Sequence, residues 1–237
     1  MDFDLPYEEE FAMQILTPYS FYNCWFFPKK MKAYFDKYIF LDRIGSRALK
    51  KWKHCYLNCL KKVSYVNQGK QLILKSPSNT GRIKLLLEMF PDAKFIYIAR
   101  NPLDVYCSMS KVYNILFDEM AFQKHDPEQL KDNISDFYQR LLARYAQEKQ
   151  LIPQGRLYEL SYENFAASPV TELKTIYDAL QLSGYQQALP AFQAYYKRKK
   201  SYNRSNYPIS KEDEQLLREK WSKGFTHWES LNSTTPG

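Results

Sequence analysis

The chain has 237 residues, 45% hydrophobic and 16% aromatic, which is enough for one sizeable core and suits a single domain spanning 1–237. Its 34 Lys and Arg outnumber 26 Asp and Glu, giving a net charge of +8 that favours an anionic partner: nucleic acid, a membrane surface or a phosphorylated small molecule. No apolar run reaches membrane-spanning length and no signal peptide opens the chain, so the sequence reads as soluble and cytoplasmic. The four cysteines make no disulfide scaffold.

The first 30 residues mix aromatics and prolines without a sustained period. They read as an irregular segment pinned by aromatic contacts, with a short helix over 8–14. Phe21, Tyr22, Trp25 and Phe26 read as core or as the lining of an apolar pocket. Across 46–64, Leu49, Trp52, Tyr56, Leu60 and Val63 recur every three or four residues, which marks an amphipathic helix. Cys55 and Cys59 share a face of that helix beside His54, but no second pair follows to close a metal site, and no metal is expected.

Two short apolar runs come next, each ending on a cation. Residues 71–74 read as a strand running into Lys75, 80–90 as a helix, and 94–99 as a second strand running into Arg100. A strand, helix and strand of this length suit a right-handed parallel crossover, which would put both cations on one sheet edge. A further helix is expected from Pro102, capped by Asn101, with Val105, Met109, Val112 and Leu116 as its inner stripe. Ser108 falls about two turns along, a rise of roughly 10 Å, and can face back toward Arg100. Further on, helices are expected over 127–150, 169–180 (capped by Ser168), 188–200 and 211–223, with a strand over 156–160 and a loop at "SYNRSNYPIS". Ligands of parallel sheets settle beyond the carboxyl ends of strands near helix N-termini, and Arg100, the amides of 101–103 and Ser108 would together grip a phosphate. The alternative is a surface ion pair of Arg100 with Asp104 or Asp92. The scattered lysines come with no nucleic-acid-binding motif, so no nucleic-acid partner is expected.

Four segments in order carry a resemblance to a known family: "LPYEEEFA", "LKSPSNTGRIKLLLEMFPDAKFIYIARNPLDVYCSMSKVY", "RLYELSYENFAASPVTELKTIYDAL" and "YNRSNY". Together they resemble the bacterial-type branch of the sulfotransferases. The resemblance implies an α/β fold with a P-loop-like, three-layer parallel sheet and helices on both faces. It implies 3′-phosphoadenosine 5′-phosphosulfate as co-substrate and transfer of its sulfuryl group to a hydroxyl or amine of a small-molecule, carbohydrate or peptide acceptor. Arg100 and Ser108 match the positions that hold the 3′-phosphate, Tyr162 a position near the adenine, and Arg204 a basic loop brought onto the same phosphate.

The chain departs from the family in two places. None of its seven glycines lies in an "R-S-G-T-T"-type loop after an apolar run, so the sheet is expected to lack its first strand and loop. Low turnover and association through the incomplete sheet would follow. A second reading is a non-catalytic form, or one half of a split protein, that binds a 3′-phosphonucleotide or a partner chain. The other departure is that none of His54, His125 and His227 lies on the expected active edge. Glu10 or Glu9 is then the expected base, with Lys75 stabilising the leaving group.

Overall fold

Aromatic packing organises the start of the chain, as its composition suggests. In the computed structural model, which describes residues 7–199 and 209–233, the backbone divides into two units. One comprises Met1–Pro91 with Lys111–Glu148, the other Asp92–Ser110 with Lys149–Gly237.

In the first unit, α1 (Glu9–Leu16) places Glu9 and Glu10 in its first turn, where the helix dipole favours anions. A 3₁₀ turn at Phe21–Trp25 follows, its Ser20 hydroxyl accepting from the Tyr22 amide at 3.2 Å. Tyr22 stacks on Trp25 at 4.2 Å and Phe11 meets both edge-on. Phe21, Tyr22 and Trp25 are buried and belong to the core. Helix α2 (Met31–Tyr38) buries Met31 and Phe35, and Phe35 stacks on Phe137 at 3.9 Å. Helix α3 (Ser46–Val66) forms where the periodicity places it, with Trp52, Tyr56 and Leu60 buried.

Residues 71–76 correct an expectation. They form no strand, and Ile73 is 87% exposed. A strand exists only through a hydrogen-bonded neighbour, and the sheet of the described residues contains two other segments. The crossover expected between 71–74 and 94–99 is therefore absent. The next helix also starts late: Pro77–Gly81 is a 3₁₀ turn, and α4 (Ile83–Met89) begins only after Arg82. Helix α5 (Pro102–Met120) carries Pro102–Ser110 in the second unit and the rest in the first. Its buried row is Tyr106, Tyr113 and Phe117, not the aliphatic stripe, and Val112 is exposed. Larger rings remove more apolar area from water and set the face. Helix α6 (Pro127–Glu148) completes this unit.

The second unit is built on a parallel pair, β1 (Phe95–Ala99) and β2 (Leu157–Ser161), in the register Tyr97↔Glu159 and Ile98↔Leu160. Side chains alternate across it. On one face Leu160 packs with Ile176 and Leu180 of the segment around α8 (Pro169–Ala179), which follows α7 (Tyr162–Ala167). On the other, Glu159 meets Lys149 at 3.1 Å and His227 at 3.3 Å, and Tyr97 lies beside the same imidazole. His227 belongs to α11 (Ser222–Ser233), which follows α9 (Tyr185–Lys199) and α10 (Lys211–Lys220). The unit is thus an α/β layering with a small parallel sheet and helices on both faces. Ser168 makes no side-chain cap; Ser161 caps α7 instead, accepting from the Asn164 amide at 3.1 Å.

Candidate functional site

Arg100, Ser108 and Tyr162 all belong to the second unit. Ala99 ends β1, Arg100 follows it, and α5 starts two residues later because Pro102 suits the first helical position. Asn101 caps that helix as its side chain predicts, its Oδ1 accepting from the Leu103 amide at 2.9 Å. The Asn101 amide donates to Glu163 Oε1 at 3.3 Å, while Trp228 Nε1 donates to Glu163 Oε2 at 2.8 Å. The amides of 101 and 103 are therefore engaged, which corrects the expectation that they stand free. A carboxylate seated on this helix start shows the same preference for an anion that a phosphate would use.

Arg100 lies over the ring of Tyr162, its guanidinium carbon 5.1 Å from the centroid. It also donates to Asp104 Oδ2 from Nε at 3.3 Å and from Nη2 at 3.1 Å. Both members of the pair are substantially exposed, and one-turn helix pairs of this kind are worth only about 0.3–0.5 kcal/mol. Ser108 is half-buried on α5, and its hydroxyl makes no hydrogen bond among the described residues. The fold brings Arg100 and Tyr162 together and places Ser108 on the helix that Arg100 precedes. Arg204 lies outside the described residues.

The acidic triplet and Lys75 belong to the first unit, and the three carboxylates meet different surroundings. Glu10 is fully buried. Arg82 Nη1 donates to its Oε2 at 2.6 Å and the Ser20 hydroxyl to its Oε1 at 2.7 Å. Arg82 itself is enclosed, donating to the carbonyls of Ile39 at 2.9 Å and Tyr38 at 2.5 Å and lying over Trp52 at 5.0 Å. A carboxylate with no exposed surface and a paired guanidinium cannot meet an acceptor, so Glu10 as base is corrected: it is the partner of a buried ion pair. Glu9 is nearly as enclosed, accepting from the Tyr56 hydroxyl at 3.1 Å and Asn79 Nδ2 at 2.7 Å. Burial, reinforced by the Glu9 charge, pushes the Tyr56 phenol up, so it remains a donor.

Glu8 is the carboxylate within reach of solvent. It accepts from the Tyr22 hydroxyl and from Lys75, whose side chain is 79% exposed. Burial and the Glu8 hydrogen bond raise the Tyr22 phenol as well. Sequence reasoning passed over Glu8 and Arg82, although both lie in the quoted segments. Three adjacent acids look alike in a sequence, and one helical turn divides them between interior and surface.

A model of the sulfotransferase family matches residues 8–187, a span that holds both the acidic triplet and the Arg100 site. The omega-hydroxy-beta-dihydromenaquinone-9 sulfotransferases Stf3 of Mycobacterium bovis and Mycobacterium tuberculosis are each 31% identical over 225 residues, covering 94% of this chain. The chain spans 58% of the length of these relatives. The crystal structure of sulfotransferase STF9 from Mycobacterium avium shares the fold at a TM-score of 0.71 and 17% identity, over 94% of this chain and 56% of that one. With its motifs, its parallel pair and the greater part of its length matched, this chain belongs to the sulfotransferase family.

Proposed function

We propose that the protein works on a sulfuryl-transfer donor, binding 3′-phosphoadenosine 5′-phosphosulfate and passing its sulfuryl group to an acceptor hydroxyl. The observation that carries this reading is Arg100: a guanidinium at a strand end, stacked on an aromatic ring and held by an ion pair weak enough to give way to a phosphate. Arg100 and the Ser108 hydroxyl take the 3′-phosphate, and Tyr162 presents a face to the adenine. In the reaction the acceptor oxygen attacks sulfur, the bond from sulfur to the bridging oxygen breaks, and adenosine 3′,5′-bisphosphate leaves. The acceptor proton passes to a carboxylate of the triplet. Its solvent-facing member, Glu8, suits this step better than Glu9 or Glu10, and Lys75 is its ion-pair partner. The curated relatives carry the name of a menaquinone-type acceptor, which favours an apolar molecule ending in a hydroxyl here too.

Calorimetry with adenosine 3′,5′-bisphosphate tests the reading. Loss of a charge-assisted bidentate contact costs about 1.5–3 kcal/mol, so Arg100→Ala should weaken binding roughly 10- to 100-fold. Equal affinity of the wild type and Arg100→Ala would overturn the assignment.

A further inference from the structure

The outer face of α3 carries charge that the proposed chemistry does not use. Over Ser46–Val66 the helix has Arg47, Lys50, Lys51, Lys53, Lys61 and Lys62 and not one acidic residue. At about 100° per residue, all of these except Lys53 lie on the side away from the buried row of Trp52, Tyr56 and Leu60. Lys53 pairs with Glu88 at 3.0 Å. Lys50, Lys51, Lys61 and Lys62 are exposed and have no ion pair among the described residues. Such a helix end does not repay its own repulsion by internal pairing.

The same helix ends on uncovered apolar side chains. Tyr65 is 87% exposed and Val66 77% exposed, next to Lys61 and Lys62 and just before a turn through Gln68 and Gly69, both with positive φ. Leu57, on the lysine side one turn back, is also exposed. A basic face that finishes in exposed apolar and aromatic groups is the arrangement that lies flat on a charged interface, with lysines on phosphates and the apolar tip at the boundary of headgroups and acyl chains.

We infer that α3 docks the protein on an anionic lipid bilayer through Lys50, Lys51, Lys61 and Lys62, with Tyr65 and Val66 entering the interface. Charge complementarity selects an anionic partner, and the exposed aliphatic side chains of Val66 and Leu57 beside Tyr65 favour a bilayer over nucleic acid, because they offer a polynucleotide nothing to stack on or pair with. The inference is independent of the nucleotide site, since none of these residues belongs to it.

The test is co-sedimentation of the full chain with vesicles of phosphatidylcholine alone or with about 30% phosphatidylserine, at about 0.1 M salt. The wild type should pellet with the anionic vesicles only and be released by about 0.5 M salt. Each lysine near the surface contributes roughly a fivefold gain, so Lys50, Lys51, Lys61 and Lys62 changed together to Gln should lower partitioning at least ~100-fold. Tyr65→Ser with Val66→Ser should lower it about tenfold. Lys29, Lys30, Lys32 and Lys37, also exposed, form a charge-matched control that should lose far less when changed to Gln. A Tyr65→Trp chain, which keeps every charge, should show a blue shift on anionic vesicles in the emission that remains after the wild type, with its four native tryptophans, is subtracted. Failure of the wild type to pellet would overturn the inference. So would equal losses in the control and the α3 variant, an unshifted tryptophan, or tighter binding to a single-stranded oligonucleotide that ignores Tyr65 and Val66.

Discussion

A single turn of helix separates three glutamates by role. Glu10 and Arg82 are both without exposed side-chain surface, and each satisfies the other only because Ser20 and the carbonyls of Tyr38 and Ile39 take the remaining bonds. Such a pair adds little over a well-packed apolar substitute, yet removing one partner leaves a buried charge alone at a cost of about 3–5 kcal/mol. Glu10→Ala should therefore lower the urea-unfolding free energy by that amount, and Glu8→Ala by less, about 1 kcal/mol, for the Tyr22 hydroxyl bond it removes; comparable losses would mean that Glu8 carries as much of the structure as Glu10. In the proposed 3′-phosphate contact, Ser108 offers one neutral donor, worth about 1 kcal/mol. Ser108→Ala should weaken adenosine 3′,5′-bisphosphate roughly fivefold and leave 5′-AMP, which lacks the 3′-phosphate, unchanged. Equal losses for both nucleotides would show that Ser108 acts through the fold.

At the scale of elements, the quoted motif "SPSNTGRI" behaves as a joint. Its 3₁₀ turn, Pro77–Gly81, runs under Phe40: a Cβ on Gly81 would lie 2.9 Å from Phe40 Cδ1 and 3.0 Å from Ile39 Cγ2. Phe40 cannot step aside freely, since Phe35 meets its ring edge-on and the guanidinium of Arg144 lies 4.7 Å from its centre. Gly81→Ala should cost about 1–3 kcal/mol, read as a lower unfolding midpoint with the transition still cooperative. A wild-type midpoint would show that the rings yield. Helices α3, α6 and α8 were legible because their apolar residues keep a helical period over many turns. The segment 71–74 has a strand's composition and is not one, because pairing is a property of neighbours and not of the segment. Helix α2 was missed for the opposite reason: eight residues rich in aromatics and lysines show too little period to announce a helix. Of the site, Arg100 and Ser108 could be nominated from their places at a strand end and on a helix. The Arg100–Asp104 pair was also legible, as an ion pair one helical turn apart, whereas the engagement of the Asn101 amide with Glu163 and of Arg82 with Glu10 depends on contacts across 62 and 72 positions that no local pattern encodes.

At the scale of the whole molecule, the chain's 20 tyrosines tie its stability to alkaline pH. Burial pushes the phenols of Tyr22, Tyr56 and Tyr113 far up, and Tyr138 and Tyr158 up to about 12, Tyr158 with help from its hydrogen bond to Glu172. Unfolded tyrosine titrates near 10. A folded state that keeps its phenol protons while the unfolded chain sheds them is fully favoured below pH ~10 and loses that advantage as pH rises toward the folded values. Urea-unfolding free energy should therefore begin to decline from about pH 8.5, where the unfolded Cys24 thiol titrates while burial holds the folded one up, and fall steeply between about 10 and 12, with the buried phenols' share of the tyrosinate absorbance rising at the unfolding transition and not before it. Tyr158→Phe removes one of these titrations along with the Glu172 hydrogen bond, so it should start from a lower stability and descend less steeply. Buried phenols that ionise gradually near pH 10 in the folded protein, with stability unchanged up to about 11.5, would show that the aromatic core is open to solvent and would overturn this account.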